Sequence, residues 1–189
     1  MKTIYFVTSN KGKLLEAKEK LSAIDIEVVQ RNIGYLEPQV DTLEEVALFG
    51  VEDVQRRFDK PFFLEDAGLF IDSLKGFPGV YSAYVFRTIG CNGILKLLDN
   101  IDERKAVFRS VIAYKAPKVD PMFFIGECRG RIFTNELGDN GFGFDPIFIP
   151  DGDTKTFAQM DVNGKNRFSH RSKSLEKLMD YFKDFNDLS

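Results

Sequence analysis

The chain has 189 residues, 43% hydrophobic and 29% charged, with a formal net charge of −3; this suffices for one core, or two lobes sharing a cleft, so a single domain over residues 1–189 is expected. The acidic balance offers no general attraction to nucleic acid, no apolar run approaches membrane-spanning length, and the stretch from Met1 to Val7 is too short for a signal segment. Cys91 and Cys128 fit no CxxC or zinc spacing and read as reduced thiols, so the expectation is a soluble, cytoplasmic protein with no nucleic-acid or membrane partner.

Ile4–Val7 reads as a buried first strand that ends in Thr8-Ser9-Asn10-Lys11-Gly12-Lys13, and a helix follows from Leu14 to about Leu21. Ser9 or Asn10 can cap that helix. Lys11 and Lys13 stand where the helix dipole is already positive and acids would be favoured. Cations at such a place point to a bound anion, cradled by the free N–H groups of the turn as in a P-loop, although the Walker spacing is absent. A second strand, Ile26–Val29, leads to Glu37 in a loop fixed by Pro38. Leu43, Val46, Ala47, Gly50, Val51, Val54 and Phe58 then recur at helical spacing as one buried stripe. Gly50 within it implies close packing.

Pro61 starts an apolar strand that delivers Glu65 and Asp66 in succession, turns at Gly68 and re-enters apolar sequence. Carboxylates in such surroundings lose hydration worth several kcal/mol unless a partner, metal or hydrogen-bond network replaces it. Successive strand residues point to opposite faces, so one acid can be tied into the scaffold while the other faces a cleft. Gly76–Ala83 reads as a tight, glycine-bracketed loop, Gly93–Leu98 as a helix, and Ala106–Tyr114 and Met122–Phe133 as long strands. A short turn over 116–121 makes antiparallel pairing of those two strands the natural connection and the sheet mixed.

Gly141-Phe142-Gly143-Phe144-Asp145-Pro146 interleaves aromatics with glycine. Such a loop suits a flat ligand, with ring faces for stacking and Asp145 as acceptor for a ring N–H; as a bare motif it reads better as a hydrophobic hairpin with a capped turn. Ser169 is placed to cap a last helix with the apolar stripe Leu175, Leu178, Met179, Phe182 and Phe185. Lys165, Arg167, His170, Arg171 and Lys173 crowd its start, again suggesting an anionic or acceptor-rich ligand, although His170 by itself reads as a surface residue. These features together describe a magnesium–nucleotide site.

The stretches Thr8–Lys13, Glu65-Asp66-Ala67-Gly68-Leu69, Phe77-Pro78-Gly79-Val80-Tyr81-Ser82, Gly141–Pro146, Lys155-Thr156-Phe157-Ala158, and Lys165-Asn166 with Ser169-His170-Arg171 resemble, in order and over nearly the whole chain, the inosine triphosphate pyrophosphatase family. The resemblance is nearest to its archaeal members. It implies a two-lobed mixed α/β fold with flanking helices and the active site in the inter-lobe cleft. It further implies a homodimeric, magnesium-dependent hydrolase that converts ITP, dITP and XTP to the monophosphate and pyrophosphate, so cleansing the nucleotide pool.

Carried over position by position, Thr8, Ser9, Asn10, Lys11, Gly12 and Lys13 would hold the triphosphate. Glu37 and Asp66 would bind magnesium, with Asp66 also the general base. Ala67 would contact substrate, Phe142, Gly143, Phe144 and Asp145 would cradle the base, and Lys165, His170 and Arg171 would complete its recognition. Four departures stand out: Ala67 where serine is usual, Gly50 near a frequent lysine, Gln159 for an acid, and Ser172-Lys173-Ser174 for a small-basic-alanine run. Two rival readings are a non-catalytic purine-nucleotide-binding module and an RNA-binding domain that uses the Lys165–Lys173 cations.

Overall fold

Ile26–Arg31 (β2), Lys2–Val7 (β1), Phe62–Ile71 (β3), Lys105–Lys115 (β5), Met122–Ile132 (β6) and Phe148–Pro150 (β7) lie in that order in one sheet, with Pro78–Gly79 (β4) paired to β3. The computed structural model describes residues 2–36 and 38–184; Glu37 and Phe185 lie outside them. In chain order the elements are β1 Lys2–Val7, α1 Lys11–Ser22, β2 Ile26–Arg31, α2 Leu43–Gln55, β3 Phe62–Ile71, β4 Pro78–Gly79, α3 Ser82–Thr88, α4 Gly90–Leu97, β5 Lys105–Lys115, β6 Met122–Ile132, β7 Phe148–Pro150, α5 Val162–Asn166 and α6 His170–Asp184. β1 pairs in parallel with β2 and β3, whereas β3–β4 and β6–β7 are antiparallel, so the sheet is mixed, as expected.

The chain partitions into two compact units. One comprises Met1–Asp66, Ser110–Gly126 and Arg171–Ser189, the other Ala67–Arg109 and Glu127–His170. In the first, Ile4, Phe6, Val28 and Phe63 from the strands bury against Ala17 and Leu21 of α1 and Leu175, Leu178 and Phe182 of α6. Their spacing on α6 is the helical stripe read from sequence. α2 begins with a capping box in which Thr42 Oγ1 accepts from Glu45 N and Glu45 returns a bond to Thr42 N, a signature visible in the residues Thr42 to Glu45. The helix ends at Gln55, short of Phe58; that ring instead meets Tyr5 edge-on with centroids 5.0 Å apart. Gly50 is indeed a close-packing glycine, since a Cβ there would lie 2.8 Å from the Tyr35 ring and 2.9 Å from Leu64.

The second unit is built on aromatics: Phe108 stacks on Phe157 and meets Phe148 edge-on, Phe148 and Phe157 are tilted to each other, and all three share a core with Leu69, Ile94 and Ile147. Cys91 and Cys128 are free and buried in it. Burial first, and then the charges of Glu136 and Asp145, push the Cys91 thiol up to about 12, so it is inert at neutral pH.

The expected turn at Gly68 does not occur, because β3 continues unbroken from Phe62 to Ile71. Gly68 serves a different purpose: a Cβ on it would stand 2.3 Å from the carbonyl oxygen of Gly79 in the neighbouring β4. The loop read over Gly76–Ala83 resolves into β4 and the start of α3, fastened by Ser82, whose hydroxyl accepts from Leu69 N at 2.8 Å and donates to Gly79 O at 2.7 Å. The helix read as Gly93–Leu98 starts earlier, at Gly90. α3 and α5, of seven and five residues, are too short to show a period in sequence.

Gly68→Ala should therefore destabilise the protein by about 1–3 kcal/mol, because a backbone carbonyl cannot rotate aside as a side chain can. Thermal unfolding should show the loss as a Tm lower by roughly 2–4 °C per kcal/mol; an unchanged Tm would mean that β4 yields at no cost.

Candidate active site

Glu65 and Asp66 are adjacent on β3 and have opposite fates. Glu65 is 3% exposed. Its Oε2 pairs with Lys13 Nζ at 2.8 Å, its Oε1 lies 3.2 Å from Arg171 Nε, and the Ser110 hydroxyl donates to Oε1 at 2.7 Å. Arg171 is equally buried and also reaches Glu16 Oε2 with Nη1 at 3.0 Å. Ser174, beside Arg171, bonds the Arg171 carbonyl and lies 2.9 Å from the Ser110 hydroxyl. Burial would raise the Glu65 pKa. The charges of Arg171 and Lys13, with hydrogen bonds from Lys13 and Ser110, outweigh it and hold the carboxyl well below the usual carboxylate range. Glu65 is the acid tied into the scaffold.

Asp66 is half-buried. The Tyr35 hydroxyl lies 3.1 Å from both its carboxylate oxygens. A half-buried carboxylate held by a neutral donor keeps capacity for a hard cation or a proton. Among the described residues no group of three or more His, Cys, Asp or Glu side chains could hold a metal ion. Magnesium does not need one, since it characteristically takes one or two carboxylates and completes its shell with water and substrate phosphate. Asp66 fits that pattern, and its expected companion Glu37 lies outside the described residues.

The turn from β1 into α1 is closed by its own polar side chains. Asn10 caps α1, its Oδ1 accepting from Lys13 N at 3.1 Å, and Thr8 Oγ1 accepts from Asn10 N at 3.1 Å. No acid stands in the first turn of α1. Lys11 and Ser9 are exposed. Lys13 is anchored: its ammonium also donates to the Glu65 carbonyl at 2.8 Å. One cation at this positive helix start is thus balanced from below by Glu65.

In the second unit, Asp145 Oδ2 accepts from Phe142 N at 2.9 Å and pairs with Lys165 Nζ at 2.7 Å. The Lys165 ammonium also stands 5.0 Å from the Phe142 ring centre. Phe142 is exposed, while Phe144 is turned into the core, edge-on to Phe86. Of the two aromatics expected to cradle a base, only Phe142 offers an exposed face. Gly141 has a positive φ, and a Cβ on it would collide with Asp145 Oδ2 at 2.1 Å, so glycine is required for this turn to close on Asp145. Gly143 also has a positive φ, with open space at its Cβ position.

His170 is not a surface residue: it is 4% exposed and stacks on Phe108 with centroids 4.8 Å apart. Lys165 and Arg171 are buried as well, so much of the basic surface needed by the RNA-binding reading is absent. Ala67 lies half-buried on β3. Gln159 accepts from Thr156 N at 3.0 Å through its amide oxygen, closing a capping box as a carboxylate would.

The structure thus joins Lys13 with Glu65 and Arg171 in one unit, and Phe142 with Asp145 and Lys165 in the other. It commits the Arg171 guanidinium to carboxylates, where the resemblance implied base recognition. Sequence reading missed Tyr35, Glu16, Ser110 and Ser174. A tyrosine two residues before a proline-fixed acid and an acid three residues after Lys13 on α1 were the available signals; Ser110 and Ser174 gave none.

Glu65→Gln should cost about 3–5 kcal/mol, because it removes the buried carboxylate that pairs with both half-buried Lys13 and buried Arg171. Since the native pKa lies below the unfolded value of about 4.3, the wild-type contribution is complete above that pH and drains away as pH falls towards the native value. Denaturant unfolding should show the gap between wild type and variant narrowing below about pH 4; a gap that does not change with pH would show that the charge on Glu65 is irrelevant.

A family model described as the Ham1 family matches residues 4–181. The dITP/XTP pyrophosphatase of Thermococcus kodakarensis is 51% identical over 179 residues, covering 95% of this chain and 96% of that relative. That of Methanopyrus kandleri is 48% identical over 181 residues, covering 96% of each. Among solved structures, a HAM1 protein from Coxiella burnetii matches with a TM-score of 0.87 at 28% identity, over 97% of this chain and 100% of that one. The Staphylococcus aureus Ham1 protein matches at 0.85 and 29%, over 97% and 99%. Matches of this extent bear out the resemblance carried by the six ordered motifs: the chain belongs to the Ham1 family.

Proposed function

We propose that this chain is a magnesium-dependent nucleoside triphosphate pyrophosphatase that hydrolyses dITP, ITP and XTP to the monophosphate and pyrophosphate. The observation that carries the reading is the divergence of neighbouring acids on β3. Glu65 is neutralised by Lys13 and Arg171, while half-buried Asp66 meets the Tyr35 phenol. The names of the archaeal relatives agree with it.

In this reading the Thr8–Lys13 turn takes the triphosphate with backbone N–H groups and the Lys13 ammonium, whose position Glu65 fixes. Asp66, with Glu37, would hold magnesium, which would supply charge neutralisation on the phosphates. Asp66 takes a proton from the attacking water as the water oxygen bonds to the α-phosphorus; the bridging α–β P–O bond breaks and pyrophosphate leaves. Phe142 stacks on the base. The Lys165 ammonium, with one of its three donors given to Asp145, offers another to the 6-oxo group of hypoxanthine or xanthine. Arg171 serves recognition indirectly, by fixing Glu65 and through it Lys13, and His170 is held by its stack on Phe108. A cytoplasmic homodimer belongs to the same proposal, and sedimentation analysis tests the dimer.

Pyrophosphate release from dITP, ITP and XTP with magnesium tests the whole; binding without release would leave a nucleotide-binding module instead. Asp66→Asn should lower kcat by about 10²–10⁴-fold while substrate affinity stays within about tenfold, and near-full activity would sink the mechanism.

Adenine reverses the donor and acceptor at positions 6 and 1 relative to hypoxanthine, so each mismatched pair costs about 1–3 kcal/mol. Lys165→Met should accordingly reduce the ITP/ATP ratio of kcat/KM by about 10-fold or more. Arg171→Lys should raise KM for both and leave the ratio unchanged. Steady-state kinetics on both substrates decide, and the opposite pattern would return base reading to Arg171.

A further inference from the structure

Tyr35 stands between two features that its position in a loop gives no reason to connect. Its ring lies over Gly50 of α2, where any Cβ would come within 2.8 Å of it. Its hydroxyl sits 3.1 Å from Oδ1 and 3.1 Å from Oδ2 of Asp66. A phenol has one proton to give, so equal distances mean a donor shared across the carboxylate. That geometry tethers the head of the carboxylate and limits its reach.

The loop that carries Tyr35 is fastened on both sides of it. Arg57, just beyond α2, donates to Ile33 O at 3.0 Å and to Gly34 O at 2.8 Å, while Asp53 accepts from Leu36 N at 3.3 Å and pairs with Arg57 at 2.6 Å. Gly34 takes a positive φ of 59° in this loop, a conformation that glycine adopts freely. The phenol is therefore carried on a backbone clamped to α2, with its ring seated where that helix lacks a side chain.

We propose that Tyr35 is a positioning residue for the hydrolysis, aiming the Asp66 carboxylate through its hydroxyl, and that Gly50 is the seat that lets its ring reach there. This rests on the reading of Asp66 as the reacting acid. A carboxylate free to rotate presents its lone pairs to water in many orientations, of which few suit proton transfer from an in-line nucleophile. Tethering the head of the side chain narrows that range without adding a charge, and substrate affinity gains nothing from it.

The test is Tyr35→Phe, which keeps the ring on Gly50 and removes only the hydroxyl. Expected are a kcat for dITP lower by about 10–100-fold with KM within about threefold, unchanged calorimetric binding of a non-hydrolysable dITP analogue, and a Tm close to wild type. Combined with Asp66→Asn, the variant should lose no more than Asp66→Asn alone, since residues that act as a unit are not additive. Losses that multiply would overturn the proposal, as would a fall in affinity equal to the fall in kcat. Full kcat in Tyr35→Phe beside a crippled Asp66→Asn would overturn the role of Tyr35 and leave the proposed function standing, whereas full activity in Asp66→Asn would remove the reading on which both rest.

Discussion

A carboxylate without access to water has to be answered by charge, and Glu65 is answered twice. The desolvation of such a group costs several kcal/mol, and Arg171 and Lys13 together outweigh it and keep Glu65 ionised. Each of those cations comes from a different helix, Lys13 from α1 and Arg171 from α6. A single buried charge thereby fixes the register of two helix starts against one strand, in the unit whose apolar core is otherwise non-directional. Glu16 and the Ser110 and Ser174 hydroxyls complete the set of partners, which is what makes a buried ionic cluster tolerable.

That arrangement explains why cations sit at helix N-termini against the usual preference. At α1, Lys13 opposes the dipole but faces Glu65, so the local sum is close to neutral and Lys11 remains exposed beyond it. At α6, Arg171 does the same with Glu65 and Glu16. The broken rule of charge placement is settled by the tertiary pairing of Lys13 and Arg171. Lys165 shows the same logic in the second unit, where Asp145 both balances the ammonium and closes the Phe142 turn.

One strand carries three different constraints within four residues. At Glu65 it supplies charge, at Asp66 an acid held by a neutral phenol, and at Gly68 the lack of a side chain that lets β4 approach. Alternation of faces makes this possible, since consecutive residues answer to different surroundings. The cost is low tolerance: a shift of one residue along β3 would bury Asp66 against two cations and send Glu65 towards Tyr35.

Sequence alone determined the elements with a strong period, the stripe of α2 and of α6, the strands flanking the acid pair, a cap at Ser9 or Asn10, and the requirement that Glu65 and Asp66 be compensated. The order of its motifs also specified the family. Tertiary structure alone decided who does the compensating. Ser110 and Arg171 lie 45 and 106 positions beyond Glu65 in the chain, and local patterning encodes the face of an element but not which distant side chain will meet it. For that reason Arg171 reads in sequence as a ligand-facing cation and proves to be a buried counter-charge. Gly68 reads as a turn because glycine signals conformational freedom, whereas its actual role, room for a neighbouring carbonyl, exists only once β4 is packed against β3.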